Sequence, residues 1–267
     1  MMRKQKGRIT LKQNTFTVYL LPWLLPLSIL IGWQVAASLQ TVSSRLFPPP
    51  LDVLKSTWEL LVSGKLLFHM KISLWRAAIG FLVGGAIGFI LGISNALFTT
   101  SYRLLDTTIQ MIRNIPHLAL VPLVILWMGV DEGAKIFLVA LGVLFPVYIN
   151  TFHGIRSINK DLIEMGKVYG LGTWPLFRDV ILPGALPSIF VGLRYALGVM
   201  WLTLIVAETI PTNEGIGFLA MNAREFMHAD IIILSIIVYA LLGKLADVIA
   251  KSLEKKVLRW NDTYKEA

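Results

Sequence analysis

The stretch that decides the fold runs from Glu164 to Pro183 and reads E-M-G-K-V-Y-G-L-G-T-W-P-L-F-R-D-V-I-L-P. It is the longest polar interruption between apolar segments in the second half of the chain. Gly170 and Gly172 stand at its centre, with charged side chains on both sides. Because a plain connection can be shorter and less patterned, the stretch predicts a short helix, a glycine turn and a second short helix that ends at Leu182-Pro183.

The rest of the chain is too apolar for a soluble protein. Of its 267 residues, 55% are hydrophobic and 15% are charged, and its mean hydropathy is +0.68. A soluble domain carries about 25% charged residues. The apolar residues form blocks of roughly 20, the length that crosses a bilayer as a helix, so an all-α membrane protein is predicted. Because the chain has no cysteine, disulfides and thiol chemistry are excluded.

Six transmembrane helices are predicted from the apolar blocks. Their approximate ranges are 18–39, 73–97, 116–128, 134–152, 187–210 and 231–250. Prolines at positions 116, 122 and 146 make the third and fourth spans irregular. After the first span, Pro48-Pro49-Pro50 predicts the entry to a short amphipathic helix at the outer membrane surface. A cleaved signal peptide is the alternative for the first block, but that block is longer than a signal core of about 7–15 residues.

The distribution of positive charge predicts the side of the membrane on which each loop lies. Six spans place both termini on one side, and most of the 25 lysines and arginines lie in the terminal segments and in the loops near residues 98–115 and 153–186. Because cytoplasmic loops carry excess positive charge, the N- and C-termini and the loop 154–183 are predicted to be cytoplasmic. Lys71, Arg76 and Lys135 are assigned to helix mouths. The net charge of +9 therefore indicates orientation in a membrane and no nucleic-acid partner.

The second predicted span carries a regular glycine pattern. Gly80, Gly84, Gly88 and Gly92 recur at four-residue spacing. On a helix this spacing forms a groove of small residues along one face, where a second helix can approach closely. Glycine is frequent in membrane helices in general, but the strict period favours tight helix packing.

The sequence contains no constellation that indicates catalysis or metal binding. The phosphate-binding pattern G-x-x-x-x-G-K-[ST] is absent, so this chain is not predicted to hydrolyse ATP. His69, His117, His153 and His228 are scattered, and structural or interfacial roles are favoured for each. We therefore expect no enzyme activity, no metal site and no bound cofactor in this chain.

Charged residues inside the predicted spans are the candidates for a substrate path. Arg194 and Glu208 lie in the fifth span, and charges at membrane depth are functional suspects. Structural roles are the favoured alternative for both, because long side chains can reach the membrane surface. Lys244 in the sixth span is assigned a structural role. The polar run Asn213–Gly217 is expected to face outward.

The opening stretch resembles the EAA motif of permease subunits of ABC importers. That motif has a glutamate, two small residues, a glycine four positions on, and an apolar residue with Leu-Pro after a fixed gap. The corresponding residues here are Glu164, Met165, Gly166, Gly170, Val180, Leu182 and Pro183. The motif prefers alanine at positions 165 and 166. Gly166 keeps the small side chain, whereas Met165 departs from the motif.

The resemblance extends over about residues 66–260. Five segments carry it: Arg113–Pro122, Phe145–Gly154, Ala207-Glu208, Leu182–Ser188 and Ala220–Phe226. The first three are similar to the sulfonate, taurine and nitrate branch of these permeases, and the last two to aliphatic sulfonate permeases. The implied organisation is a tail, first transmembrane helix and outer connection over 1–65, a permease domain over 66–260 and a C-terminal tail over 261–267.

The resemblance implies a type I ABC importer permease of the bacterial cytoplasmic membrane. Its implied partners are a second copy of itself, a cytoplasmic ATPase dimer that uses ATP and Mg²⁺, and an extracytoplasmic substrate-binding protein. Six residues are implied to couple the permease to the ATPase: Glu164, Gly166, Gly170, Val180, Leu182 and Pro183. In this role Gly166 permits close approach, Gly170 permits a positive φ angle, and Pro183 stops the second short helix before the fifth span.

Two other classes of protein stay open. An ion-coupled secondary carrier is one, although such carriers often show internal repeats and the sequence has no clear repeat. A structural or assembly factor of the membrane is the other. For the importer, the implied substrate is an aliphatic sulfonate, and taurine, nitrate, small organic acids and pyrimidines are the alternatives.

Overall fold

The computed structural model of the protein describes residues 15–39 and 47–261, except for the side chains of residues 15–20, 22 and 23. Every regular element in these ranges is a helix. The α-helices are α1 (Thr15–Ser38), α2 (Pro50–Val62), α3 (Lys65–Leu97), α4 (Thr99–Arg113), α5 (Val121–Met128), α6 (Glu132–Arg156), α7 (Lys160–Val168), α8 (Thr173–Leu176), α9 (Leu182–Ala207), α10 (Ile216–Glu225) and α11 (Ala229–Val257). A 3₁₀ turn, His117–Leu120, precedes α5, and a π-helical turn, Phe177–Ile181, precedes α9. The basic residues before position 14 and most of the predicted C-terminal tail lie outside the described residues.

Four helices are long and apolar enough to cross a membrane: α3, α6, the continuous helix Thr173–Ala207 and α11. A fifth span results if α4 and the segment His117–Met128, which meet at 80°, are counted as one broken span. In α1, whose side chains are described continuously from Leu24 onward, the described apolar part Leu24–Ser38 is shorter than these spans. The described part of the chain is therefore a multi-pass helical membrane protein with four or five spans, and the six-span topology stays a prediction.

The third predicted span differs from the structure. Its apolar part consists of 4 residues in the 3₁₀ turn and 8 in α5, whereas a single helix needs about 20 to cross the bilayer. The stretch with Arg103 and Arg113, predicted to be a short connection, is the 15-residue amphipathic helix α4. Pro116 explains the break, because proline lacks an N–H donor and biases the preceding residue away from the helical conformation.

The glycine stripe of α3 lies against α6. All four of its members, Gly80, Gly84, Gly88 and Gly92, approach residues of α6 more closely than a side chain would permit. A Cβ atom on Gly84 would overlap the backbone carbonyl of Ala140, and one on Gly88 would overlap that of Leu144. The two backbones are therefore in direct contact along most of the depth of the bundle.

α6 is the centre of the bundle, with α3 on one side and α9 on the other. Its valines Val139, Val143 and Val147 are fully buried between these helices. On the other side, a Cβ atom on Gly192 of α9 would lie 2.5 Å from the Cβ of Asn150. α10 and α11 pack against α9, and α2 packs against α11. This arrangement places α7 and α8 at the start of the helix Thr173–Ala207, and Glu208 directly after its end.

Candidate functional site

The segment from α7 to α8 is a structured turn. The Asn159 side chain caps α7 by accepting a hydrogen bond from a backbone N–H two residues on, at 2.9 Å. At the other end of α7, Gly170 has a φ of 78°, and its N–H donates to the carbonyl oxygen of Lys167. The N–H of Leu171 donates to the carbonyl oxygen of Gly166. This pair of bonds is the Schellman arrangement, in which a glycine takes the left-handed position after a helix.

Gly166 joins α7 to α8 through a close contact. It is buried, and a Cβ atom at this position would lie 2.7 Å from Leu176 Cδ1. Val180 Cγ2, on the π-helical turn, would lie 3.7 Å from the same atom. A side chain at position 166 would therefore require Leu176, which lies on α8, to shift. The glycine keeps the two short helices together as one body.

Several apolar side chains of this segment are exposed beside its charged ones. Val168 and Tyr169 are 85% and 80% exposed, and Trp174 is exposed beside them. Met165 is half exposed, so its departure from the alanine of the motif crowds no packed surface. Glu164 is exposed as well. Several exposed large apolar and aromatic side chains within one short segment are typical of a site that contacts a partner.

The second short helix does not end at Leu182-Pro183, and Pro183 does not stop it. α8, the π-helical turn and α9 form one continuous helix of 35 residues, Thr173–Ala207. Pro183 lies in the first turn of α9, directly after the wide π-helical turn. The π-helical turn lets a proline stand inside a continuous helix, because it changes the hydrogen-bond ladder just before the residue that lacks an N–H. The α7–α8 segment is therefore joined to a spanning helix without a break.

The far end of this helix carries a buried carboxylate. Glu208 follows α9 directly and is 1% exposed. Its oxygens accept hydrogen bonds from the Ser73 hydroxyl at 2.7 Å, from Arg76 Nη1 at 2.7 Å, from the Gly217 N–H at 2.8 Å and from the Tyr239 hydroxyl at 2.7 Å. These donors come from α3, α10 and α11. One side chain at the end of α9 therefore links four helices.

Arg76 is the positive partner of Glu208 and is fully buried. Its Nε and Nη2 donate to the two oxygens of Glu132 at 2.6 Å each, and its Nη1 also donates to the carbonyl oxygen of Glu214 at 2.9 Å. Lys135 donates to Glu132 at 3.0 Å. Two buried cations thus balance two carboxylates, of which Glu208 is buried and Glu132 is 46% exposed. Removing one partner from such a buried pair costs about 3–5 kcal/mol, because it leaves an unpaired charge.

The sequence indicates Glu208 but not its partners. It assigns Arg76 and Lys135 to helix mouths, whereas the structure buries both inside the bundle. The sequence contains one indication that Arg76 is buried: it lies four residues before Gly80, in phase with the glycine stripe. A residue in that phase shares the face of α3 that packs against α6. The identity of the carboxylates could not be read from this spacing.

Arg194, the other charged candidate, connects α9 to α11. Its guanidinium forms ion pairs with Asp247 at 3.1 Å and with Glu254 at 3.3 Å. Lys244 lies 3.9 Å from Asp247 as well. Arg194 and Glu208 thus take part in two separate ion-pair networks, and the structure does not bring them together. A place on a substrate path stays a prediction for both.

A cleft of about 580 Å³ opens beside Glu208. The loop 209–213 and α10 line it, together with Val130 from the turn before α6. The run Asn213–Gly217, which was expected to face outward, does so only in part. Asn213 and Glu214 are exposed, whereas residues 215–217 are buried against the ion pair. The backbone of those three residues therefore contacts the interior of the bundle.

Two of the four histidines, His69 and His117, have hydrogen-bond partners inside the fold. His69 Nδ1 accepts a hydrogen bond from the Gly215 N–H at 3.1 Å, and His117 Nε2 lies 2.9 Å from Thr203 Oγ1. Within residues 15–39 and 47–261, no group of three or more histidine or acidic side chains could hold a metal ion.

These features define the class of protein. The chain is a multi-pass helical membrane protein, with an exposed apolar segment at one end of a spanning helix and a buried ion-pair network at the other. It belongs to the family of binding-protein-dependent transport system inner membrane components, whose model matches residues 84–259.

Relatives in this family match nearly the whole chain. A protein of Escherichia coli (strain K12) named as an aliphatic sulfonates transport permease protein, SsuC, is 61% identical over 91% of this chain and 92% of its own length. SsuC of Bacillus subtilis (strain 168) is 43% identical over 90% of this chain and 87% of its own. The taurine transport system permease protein TauC of Escherichia coli (strain K12) is 32% identical over 95% and 90%.

Solved structures share the fold at low sequence identity. The crystal structure of an amino acid ABC transporter gives a TM-score of 0.60 at 17% identity, covering 77% of this chain and 97% of that chain. An inward-facing structure of the MetNI methionine ABC transporter gives 0.52 at 18% identity, covering 74% and 97%. These similarities establish the fold alone.

Proposed function

We propose that this chain is the membrane-spanning permease subunit of an ATP-driven ABC importer, and that it carries aliphatic sulfonates across the bacterial cytoplasmic membrane by alternating access. The observation that carries the proposal is the 61% identity, over 91% of the chain, to a relative named for aliphatic sulfonate transport. Relatives named for taurine and nitrate are 32% and 29% identical, which makes them the second choices. In this proposal the chain itself catalyses no reaction, and a partner ATPase uses ATP and Mg²⁺.

The proposed topology has six spans of the type I importer permease, with both termini in the cytoplasm. The continuous helix Thr173–Ala207 has 35 residues and is roughly 50 Å long at 1.5 Å per residue. This length exceeds the hydrocarbon thickness of a bilayer, about 30 Å. Its two ends therefore lie on opposite sides of the membrane. The positive charge near α7 supports a cytoplasmic position for that end, with Glu208 at the outer side.

The α7–α8 segment is the proposed contact with the ATPase dimer. Gly166 and Gly170 hold its shape, and the exposed Val168, Tyr169 and Trp174 are available to fill an apolar cleft on the partner. The other coupling residues, Glu164, Val180, Leu182 and Pro183, lie on the exposed face of α7, on the π-helical turn and in the first turn of α9. When the ATPase closes on ATP, motion of this segment passes directly into α9, because no break separates them.

The broken span α4–α5 is the proposed contact with a second copy of the chain. Ile115, Pro116 and Leu118, at the break, are exposed, and Leu126 and Trp127 of α5 are exposed beyond it. Irregular backbone at membrane depth is not found facing lipid, because its polar groups would lack partners there. This surface therefore needs a cover of protein. A second copy supplies one, and it gives the homodimer that two ATPase subunits require.

The outer loop after Glu208 and the adjacent α10 are the proposed contact with the substrate-binding protein. They line the cleft of about 580 Å³ at the outer end. Substrate choice then lies largely with that partner. For Arg194 and Glu208, the ion pairs support structural roles, and their place on the substrate path is a question for uptake measurements.

Growth on alkanesulfonates tests the proposed substrate. Deletion of the gene is expected to abolish growth with ethanesulfonate as the only sulfur source, while growth on sulfate continues, and a plasmid copy is expected to restore it. Unchanged growth in a strain with no other sulfonate uptake system would refute the sulfonate assignment. Loss of growth on taurine alone would reassign the substrate within the same family.

Dependence on the ATPase tests the class of transporter. In a strain that lacks the partner ATPase, uptake of radiolabelled ethanesulfonate is expected to fall to the background level. Uptake that persists there, and collapses when the proton or sodium gradient is removed, would instead support an ion-coupled secondary carrier.

A further inference from the structure

α10 begins without a capping side chain of its own. The residue before it is Gly215, which cannot cap a helix through a side chain. The first N–H groups of a helix need acceptors, and here each of three finds one on a different residue. The pairs are Gly215 N–H to His69 Nδ1 at 3.1 Å, Ile216 N–H to Ser73 Oγ at 2.9 Å and Gly217 N–H to Glu208 Oε2 at 2.8 Å. The start of α10 is therefore held by α3 and by the end of α9.

The loop before α10 wraps around the same ion pair. Arg76 donates to the backbone carbonyl of Glu214 and reaches Thr212 Oγ1 at 3.4 Å. Gly215 has a φ of 108°, and a Cβ atom there would lie 2.5 Å from both Arg76 Nη1 and Glu208 Oε1. The backbone of the loop thus touches both charges directly, which only a glycine at position 215 permits.

The position of Glu208 is unfavourable for α9 and favourable for α10. A negative charge at the C-terminus of a helix opposes the helix dipole, whereas one at an N-terminus is stabilised by the dipole and by free N–H groups. Buried ion pairs add little net stability compared with well-packed apolar residues, and the best-attested use of such groups is to specify one arrangement. The location of Glu208 is therefore explained by its joining α9 to α10.

We propose that Glu208 and Arg76 are positioning residues that lock the loop 209–215 and the start of α10 to α3 and α9, so that a binding protein touching this loop acts on both spans at once. This inference rests on the proposed function, because it assigns the outer partner of the importer to this loop. Since α9 continues without a break into α8, the lock connects the outer docking surface to the segment that contacts the ATPase.

A spin label in the loop tests the lock without any partner protein. The chain has no cysteine, so a single Asn213→Cys substitution labels the full chain in lipid nanodiscs at one exposed position. The label is expected to be immobile in the parent chain and mobile after Glu208→Gln or the milder Tyr239→Phe. The matched control is Glu254→Gln, which removes another buried carboxylate paired with an arginine, at a site away from the loop. A label equally immobile in all variants would overturn the inference.

Measurements on the assembled transporter test whether the lock affects the stimulation of ATP hydrolysis by the binding protein. Permease, ATPase and the binding protein of the same system, loaded with ethanesulfonate, are combined in proteoliposomes. We expect Glu208→Gln to lower the ratio of stimulated to basal ATP hydrolysis by about tenfold, within the range of coupling between protein sites. Tyr239→Phe is expected to lower it less, and Glu254→Gln is expected to keep the parent ratio.

An outcome that contradicts this inference can be distinguished from one that contradicts the proposed function. If Glu208→Gln reduces only the yield, and the surviving complex is stimulated as the parent is, the network is merely structural and the inference is wrong. If Glu254→Gln lowers the ratio as much as Glu208→Gln, the effect is not specific to the loop and the inference is also wrong. If the parent complex shows no stimulation although the spin label reports the lock, the proposed function fails and the link to a binding protein fails with it.

Discussion

Proteins usually bury apolar side chains and expose charged ones, and the two ends of the helix Thr173–Ala207 depart from this rule in opposite ways. At the α8 end, apolar side chains such as Val168 and Tyr169 are exposed. At the other end, Arg76 and Glu208 are charged and buried. The exposed apolar residues have no cover within the described chain, so that end is open to a partner. The buried charges are already satisfied, so that end is closed.

Glycines serve both ends, for different physical reasons. Gly170 has a positive φ and open space around its Cα, so it determines the path of the backbone. Gly215 also has a positive φ, but it lies against the charged atoms of Arg76 and Glu208. The first shapes a surface, and the second lets a loop approach an ion pair. Substitutions at each end should therefore have separable effects on binding and on stability.

The largest loss of stability is expected from a substitution in the α3–α6 contact, which lies between the two ends of the helix Thr173–Ala207 and supports both. Gly84→Leu places a side chain where the Ala140 carbonyl of α6 lies. Overpacking that side chains can absorb costs about 1–3 kcal/mol, but here the clash is with the backbone of α6, so a larger loss is expected and little folded protein should form. Yield and thermal unfolding in detergent measure this. Gly198→Leu is the control, because nothing lies within 4 Å of its Cβ position. Equal losses for both variants would mean that the α3–α6 contact is not special.

The second prediction separates the open end from the rest. Gly170→Asp is expected to leave the protein inserted but to abolish uptake and association with the ATPase, because a side chain at a φ of 78° distorts the turn and adds a charge to the surface. A pull-down of the ATPase measures association. Gly64→Asp is the matched control, since Gly64 has a φ of 73° and open space as well. This variant should bind the ATPase normally. Normal pull-down by Gly170→Asp would contradict the docking assignment.

The third prediction concerns the closed end. Arg76→Met should destabilise the protein by about 3–5 kcal/mol, because it leaves Glu208 buried without its cation. Adding Glu208→Gln to Arg76→Met should recover part of this loss. Thermal unfolding in nanodiscs measures both. At the open end, Arg178→Met breaks an exposed pair with Asp179 and should change stability by no more than about 0.5 kcal/mol. A similar loss at the two ends would remove the distinction between them.

The smallest effect is expected for Arg194→Gln, midway between the ends. Arg194 and Asp247 are 35% and 39% exposed, and only Glu254 of these three side chains is buried; we therefore expect the pairs to contribute about 1 kcal/mol, the upper end for exposed ion pairs. The loss of thermal stability should be correspondingly small, and the KM for sulfonate uptake should be unchanged if the role of Arg194 is structural. A raised KM at unchanged stability would instead place Arg194 on the substrate path.

Local features of the site were predictable because they depend on neighbours in the chain. The glycine turn at Gly170 follows from a residue type that tolerates positive φ, and the start of α2 follows from Pro50 at its first position. The expected end at Pro183 is wrong for a reason that is also local. A π-helical turn before the proline lets the helix continue, and sequence spacing does not distinguish that turn from a break.

The sequence by itself determined the membrane class, the helical fold and the two-helix segment at the EAA motif, since hydropathy, glycine spacing and turn residues act over short distances along the chain. Only the tertiary structure decided that Arg76 and Glu208, 132 positions apart, form one buried pair and that loop 209–215 closes over it. The physical reason is that a charge can be buried only where its partner arrives from another helix. That meeting depends on how α3, α6 and α9 pack together.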